Sequence, residues 1–190
     1  MYNLNVIYSY SELIEKHKSR RTIDRLIRNG VYKKIVKGIY TNNNDYSSSF
    51  EVLCKTYDNI TITLQSAAAY YDLTDLIPDK YYVASLAKGT IIKRDDVNQS
   101  FMRDIYFYVG REKISTDSGF IYVYNKERLL IEIIRLKKKL PYDFYKEVCN
   151  SYRDLVKNNK IDLAKIAEYA KTFNRKDGIL STILEVILWQ

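Results

Sequence analysis

Ser19-Arg20-Arg21-Thr22-Ile23-Asp24-Arg25-Leu26-Ile27-Arg28-Asn29-Gly30 reads as one short, basic, two-faced helix. Ser19 offers a side-chain oxygen suited to an N-cap, and Gly30 is suited to end the helix, so the pattern predicts a helix over residues 20–29. At about 100° per residue, Arg20, Arg21, Asp24, Arg25 and Arg28 share an arc of roughly 140°. Ile23, Leu26 and Ile27 fall on the other side. One face is fit to pack, and the other presents four guanidinium groups around a single carboxylate.

The flanks give this helix a setting. Before it, residues 10–17 read as a short helix with Leu13 and Ile14 inward. After it, residues 31–36, a Lys37-Gly38 turn and residues 39–41 read as a β-hairpin. Helix, short turn, basic helix and basic hairpin form the order of a winged helix-turn-helix, whose second helix enters the major groove of DNA. Arginine suits that task because its planar fork grips a phosphate or the O6/N7 edge of guanine with two hydrogen bonds. Thr22 stands near the helix start, where free N–H groups attract a phosphate. The hairpin brings Lys33, Lys34 and Lys37 to the adjacent backbone, and Gly38 lets the turn approach closely. The candidate DNA-binding residues are therefore Ser19, Arg20, Arg21, Thr22, Arg25, Arg28, Lys33, Lys34 and Lys37.

The charge distribution agrees with this placement. The chain of 190 residues carries a net charge of +8. Its first 45 residues hold nine Lys/Arg against four Asp/Glu, so +5 of that excess lies in under a quarter of the length. Such a density suits a polyanion, most simply nucleic acid; the plainer reading is a solvated charged face.

Residues 42–49, rich in Asn and Ser, read as a linker. The domains expected are a winged helix-turn-helix over 1–45 and a mixed α/β domain over 46–190 that ends in a helical bundle, an α+β chain overall. Within the second, a helix is expected at 49–57, with Phe50, Leu53 and Cys54 on one face. Strands are expected at 60–64, 81–85, 90–93, 105–109 and 120–123, and Ser66 as the cap of a helix through Tyr71. Apolar stripes at helical spacing follow: Leu129, Leu130, Ile133 and Ile134; Leu163, Ile166, Ala167 and Ala170; Ile183, Leu184, Ile187 and Leu188. Pro141 is placed to open a helix running to about Val156. The chain has 19 tyrosines. They alternate with other large residues, as in Tyr106-Phe107-Tyr108-Val109, and are assigned to sheet packing.

Motifs for chemistry are missing. Cys54, Cys149 and the lone His17 do not make a zinc site, and both cysteines read as packing residues. His17 reads as a surface residue without a partner. There is no glycine-rich phosphate loop and no Gly-x-Ser-x-Gly elbow. Asp104 with Glu112-Lys113, or Pro78-Asp79 upstream, comes nearest to a nuclease motif but lacks its spacing. No catalytic residue, metal or cofactor is expected, and the chain does not read as an enzyme. No stretch approaches the roughly 20 apolar residues of a membrane span. The start lacks a secretory signal, so no membrane partner and a cytoplasmic location are expected.

Ser19-Arg20-Arg21-Thr22, Leu26-Ile27-Arg28-Asn29-Gly30 and Val36-Lys37-Gly38-Ile39-Tyr40 resemble the N-terminal winged helix of AbiEi-family antitoxins. The more distinctive stretch is Ile62-Thr63-Leu64-Gln65-Ser66-Ala67-Ala68-Ala69-Tyr70-Tyr71-Asp72-Leu73-Thr74-Asp75-Leu76-Ile77-Pro78. It resembles that family's Ser-Ala, Gly-Leu-Thr-Asp and Pro segment, with Asp72 where glycine is common. Tyr81-Tyr82-Val83-Ala84-Ser85 is similar to the strand that follows there. The resemblance implies the antitoxin and transcriptional autorepressor of an abortive-infection operon directed against phage. The N-terminal module would bind inverted repeats in double-stranded promoter DNA. The C-terminal domain would counter a co-encoded nucleotidyltransferase toxin, with no stable complex implied. Two other readings stay open at this point: a protein-interaction module whose degenerate winged helix no longer binds DNA, and a nuclease using Asp104 and Glu112.

Overall fold

The computed structural model describes residues 7–42, 50–57, 59–174 and 176–188. They form a mixed α+β chain with one three-stranded and one five-stranded sheet. Contacts divide it into two units. The first takes the residues up to Ile60 together with Lys113–Ile121, and the second takes Thr61–Glu112 and the chain from Tyr122 onward. The expected boundary at 45/46 and linker residues 43–49 lie outside the described residues.

The first unit begins with β1 (Ile7–Ser9), α1 (Tyr10–His17), α2 (Arg20–Arg28), β2 (Lys33–Val36) and β3 (Ile39–Thr41). Ser9 closes a reciprocal cap on α1. Its Oγ accepts from the Glu12 N–H at 3.2 Å, and Glu12 Oε2 accepts from the Ser9 N–H at 2.6 Å. Lys18 ends α1 in the left-handed conformation at φ 55°, with its N–H on the Ile14 carbonyl. The strand order β1-β3-β2 puts the shortest connection, Lys37-Gly38, between β2 and β3. Gly38 takes φ 82°, which only glycine adopts without cost, and a bulge interrupts the pairing between Lys34 and Val36.

Apolar side chains hold this unit in two clusters. Leu13, Ile23 and Tyr32 are buried together, with Ile14, Leu26 and Ile27 against them. Ile7, Ile39 and Val52 form the other; Val52 comes from α3 (Phe50–Thr56). Each such aliphatic contributes about 1.5–3 kcal/mol on burial. The face of α3 differs from expectation: Val52, Leu53 and Cys54 are the buried residues, and Phe50 is half-buried.

The larger sheet runs β6-β5-β4-β8-β7, comprising β4 (Ile60–Ile62), β5 (Tyr81–Leu86), β6 (Val97–Met102), β7 (Arg111–Thr116) and β8 (Gly119–Tyr124). β4 lies at the centre, parallel to β8, and all three of its residues are buried. Strands covered on both faces are expected to be apolar throughout rather than alternating. Leu64, expected to end β4, instead starts α4 (Leu64–Tyr70) at φ 46°. Ser66 is not its cap. Thr63 holds that position without a side-chain bond, and Ser66 Oγ accepts from the Tyr82 N–H at 2.8 Å.

Two strand expectations fail here for physical reasons. Residues 90–93 belong to no strand. β5 and β6 are parallel, from Tyr81↔Val97 to Leu86↔Met102, so the ten residues between them must return the length of a six-residue strand. That is roughly 20 Å at about 3.3 Å per residue, and the link spends its length as a return stroke. The Gln99 side chain holds it, accepting from Ile92 N–H at 2.9 Å and donating to the Thr90 carbonyl at 2.9 Å. Of residues 105–109, read as a strand, 105–107 belong instead to α5 (Asp104–Phe107). Phe107 is fully buried, and its carbonyl accepts from the Tyr124 hydroxyl at 3.0 Å.

Helices fill the rest: α6 (Lys126–Arg135), a 3-10 turn (Lys137–Lys139), α7 (Tyr142–Lys157), α8 (Leu163–Ala170), α9 (Lys176–Ile183) and a π turn (Leu184–Leu188). Pro141 stands at the N-cap of α7 as expected. α6 is buried from Arg128 to Ile134, charged residues included. Arg128 Nη1 donates to Glu132 Oε1, and Arg135 Nη1 donates to the same oxygen. The Arg128 guanidinium also lies 4.5 Å from the ring centres of both Tyr124 and Phe173. Leu163 and Leu184, assigned to core stripes, are 41% and 46% exposed. Cys54 and Cys149 are buried free thiols, and burial pushes the Cys149 thiol up. Among the described residues, no helix is long and apolar enough to cross a membrane.

Candidate nucleic-acid interface

α2 starts where the Ser19 Oγ accepts from the Thr22 N–H at 3.3 Å. Ile23 is fully buried and anchors the back of the helix, with Leu26 and Ile27 half-buried beside it. Arg20, Arg21, Arg25 and Arg28 are all exposed. Among the described residues none of the four enters an ion pair, and Asp24 pairs with none of them. Arg28 Nε reaches back to the Asp24 carbonyl at 3.3 Å, which steers its guanidinium along the helix.

The helix start borders an open hollow of about 240 Å³, lined by Ser19, Arg21, Thr22, Arg25 and Arg28. Five of the nine candidate residues therefore share one concavity. Arg20 is exposed but does not line it. Chemically the hollow is lined by three guanidinium groups and two hydroxyls. It suits a phosphate oxygen or a base edge.

The hairpin lysines are placed less uniformly. Lys33 and Lys34 are both exposed on β2, pairing Thr41 and Tyr40 respectively. Neighbouring strand residues point to opposite faces, so these two do not serve one surface together. Lys37 is exposed at the turn, where the Gly38 carbonyl accepts from the Tyr10 N–H at 2.9 Å.

Four neighbours were not foreseen. His17 does have a partner: its Nε2 lies 3.0 Å from the Tyr32 hydroxyl, edge-on to that ring. Lys16 sits 4.7 Å from the centre of the Tyr8 ring and so belongs to the packing of this unit. Glu12, a carboxylate that could have offset the arginines, is committed instead to Lys55 at 2.8 Å and to Ser9. Lys18 adds an exposed cation in the turn before Ser19. A Ser-x-x-Glu pattern at Ser9–Glu12 is the one signal that could have located Glu12 in advance.

For the nuclease reading, Glu112 accepts from Asn125 Nδ2 at 2.8 Å and lies 3.7 Å from Lys165. Among the described residues, no group of three His, Cys, Asp or Glu side chains is arranged to hold a metal ion.

No family model matches the chain. No curated protein matches it. Among solved structures it is similar to the crystal structure of RV2827C protein from Mycobacterium tuberculosis, with a TM-score of 0.56 and 14% identity. The match covers 93% of this chain and 72% of that one, and at that identity the two share a fold and nothing further is transferred.

Proposed function

We propose that the chain is a DNA-binding autorepressor and the antitoxin of an abortive-infection operon. Its first unit acts as a winged helix-turn-helix on double-stranded promoter DNA, with α2 as the recognition helix and the β2–β3 hairpin as the wing. Its second unit counters a co-encoded nucleotidyltransferase toxin. The DNA half of this reading rests on one observation: four arginines on α2 are exposed and, among the described residues, without carboxylate partners, while Ile23 anchors the opposite side of the same helix. Clustered positive charge in excess on a packed helix repels itself, and a duplex relieves that repulsion. The order of elements and the β1-β3-β2 sheet support the winged reading. The antitoxin half rests on the resemblance in residues 62–85.

The two halves have separate tests. Gel-shift and reporter assays on the DNA upstream of the gene check repression; a specific shift and a repressed reporter are expected, and an unshifted, derepressed promoter contradicts it. Co-expression with the neighbouring nucleotidyltransferase gene checks the antitoxin role, and a chain that leaves the toxin lethal removes it.

A further inference from the structure

Lys137–Lys139 form the 3-10 turn between α6 and α7, and all three side chains are exposed. Leu136 and Leu140 on either side are half-buried, so the turn is pinned at its ends and carries its cations outward. Tyr142, the first residue of α7, is 74% exposed. Lys146 is also exposed and follows Tyr142 by one helical turn on the same face. Along the chain, Tyr142 thus stands between three exposed lysines before it and one a helical turn after it. Among the described residues, none of these five side chains forms a hydrogen bond, an ion pair or a ring contact. The nearest acids in sequence do little to offset them. Asp143 lies about 100° around the helix from Tyr142, and Glu147 is committed to the Thr74 hydroxyl at 2.7 Å and the Asp75 N–H at 2.6 Å.

Lysines alone call for phosphates. An uncovered aromatic ring among them calls for a flat π-surface as well. A duplex keeps its base faces stacked and gives such a ring nothing to meet, whereas a single strand supplies phosphates and open bases together. We propose that Lys137, Lys138, Lys139, Tyr142 and Lys146 form a surface that binds single-stranded nucleic acid without sequence preference. The lysines take the backbone, and Tyr142 stacks on a base. This surface lies wholly in the second unit and does not depend on the role of α2.

The test is fluorescence anisotropy of the full chain with a labelled oligothymidylate of about 20 nucleotides. Saturable binding is expected, with log K falling by about 0.7 per neutralised phosphate for each unit of log salt. Tyr142→Ala should weaken it about tenfold, and Tyr142→Phe should restore it, because stacking needs the ring and not the hydroxyl. Lys137→Gln/Lys138→Gln/Lys139→Gln should weaken it at least as much and flatten the salt slope by about 2. A control of equal charge change, Lys157→Gln/Lys160→Gln/Lys171→Gln, should stay near wild type, and the loss caused by Tyr142→Ala should persist when it is combined with the arginine variant Arg25→Ala/Arg28→Ala. No binding at low salt, indifference to Tyr142→Ala or to the first lysine triple, or equal loss in the control triple overturns the proposal. Complete loss of oligothymidylate binding in the arginine variant also overturns it, by assigning that binding to α2. Promoter duplex binding is read in parallel, so either proposal fails without the other.

Discussion

Gly110 takes φ 67°, and a methyl group there would fall inside van der Waals range of Arg128 Cβ and Cγ and 2.9 Å from Asn125 Oδ1. Arg128 Cβ and Cγ stand at the base of their side chain, and Asn125 Oδ1 is held by the Arg128 N–H at 3.0 Å. Gly110→Ala should therefore destabilise the second unit by more than about 2 kcal/mol, combining strain and overpacking, and a lowered urea midpoint reads it. Asp72 presents the opposite case. It too adopts a left-handed angle, φ 55°, but carries a side chain. Aspartate tolerates that conformation and β-branched residues do not. Asp72→Gly should leave stability within about 1 kcal/mol, while Asp72→Val should cost about 1–2 kcal/mol or more. Neither backbone angle is visible in the letters, because the need for a left-handed residue arises only once α4 and α6 are docked.

Among the elements, α1, α2 and the β2–β3 hairpin were legible because each carries local signals: a cap, an apolar stripe and a turn glycine. The candidate hollow was legible for the same reason, since Ser19, Arg21, Thr22, Arg25 and Arg28 lie within three turns of one helix. β6 and β7 were not. Their sequences, Val-Asn-Gln-Ser-Phe-Met and Arg-Glu-Lys-Ile-Ser-Thr, are polar edge strands whose pairing is set by distant partners. α5 was misread because Tyr-Phe-Tyr-Val alternation suits a strand, and burial of Phe107 against Ala84 and Tyr124 overrides it. The charges inside α6 were also hidden among its apolar neighbours. Glu132 there is 1% exposed and joins two arginines. Glu132→Ala should leave two guanidinium groups facing each other and cost about 3–5 kcal/mol in chemical denaturation.

The link between α1 and α3 gives the first unit a pH dependence. Burial pushes the Glu12 carboxyl up, but hydrogen bonds from Lys55 and Ser9 outweigh it and hold the group below the ordinary value of 4.5. A depressed carboxyl contributes stability above its unfolded pKa and loses it as pH falls through the folded one. The Glu12 side chain is 46% exposed, so the effect is small after solvent screening, on the order of 0.5 kcal/mol. The melting temperature of the first unit should fall between pH 5 and about 3, and Glu12→Gln should flatten that fall. An unchanged slope in the variant would remove the link from the account.

For the whole molecule, the net charge of +8 is unevenly used. One portion lies on α2 beside an acceptor-seeking hollow, another lies on the turn before α7, and Arg128 is buried in the core. Net charge alone would not have separated these three uses; exposure and pairing do. The distinction between the first use and a merely solvated face is thermodynamic, because gripped phosphates release counterions and a solvated face releases none. Binding of the full chain to DNA from upstream of its gene, followed across a salt series, reads this directly. The account predicts a steep loss of affinity with salt, and a slope shallower by about 1.8 in Arg25→Ala/Arg28→Ala, at about 0.9 per lost phosphate contact. A flat salt response, or the same steep slope with both arginines removed, would contradict it.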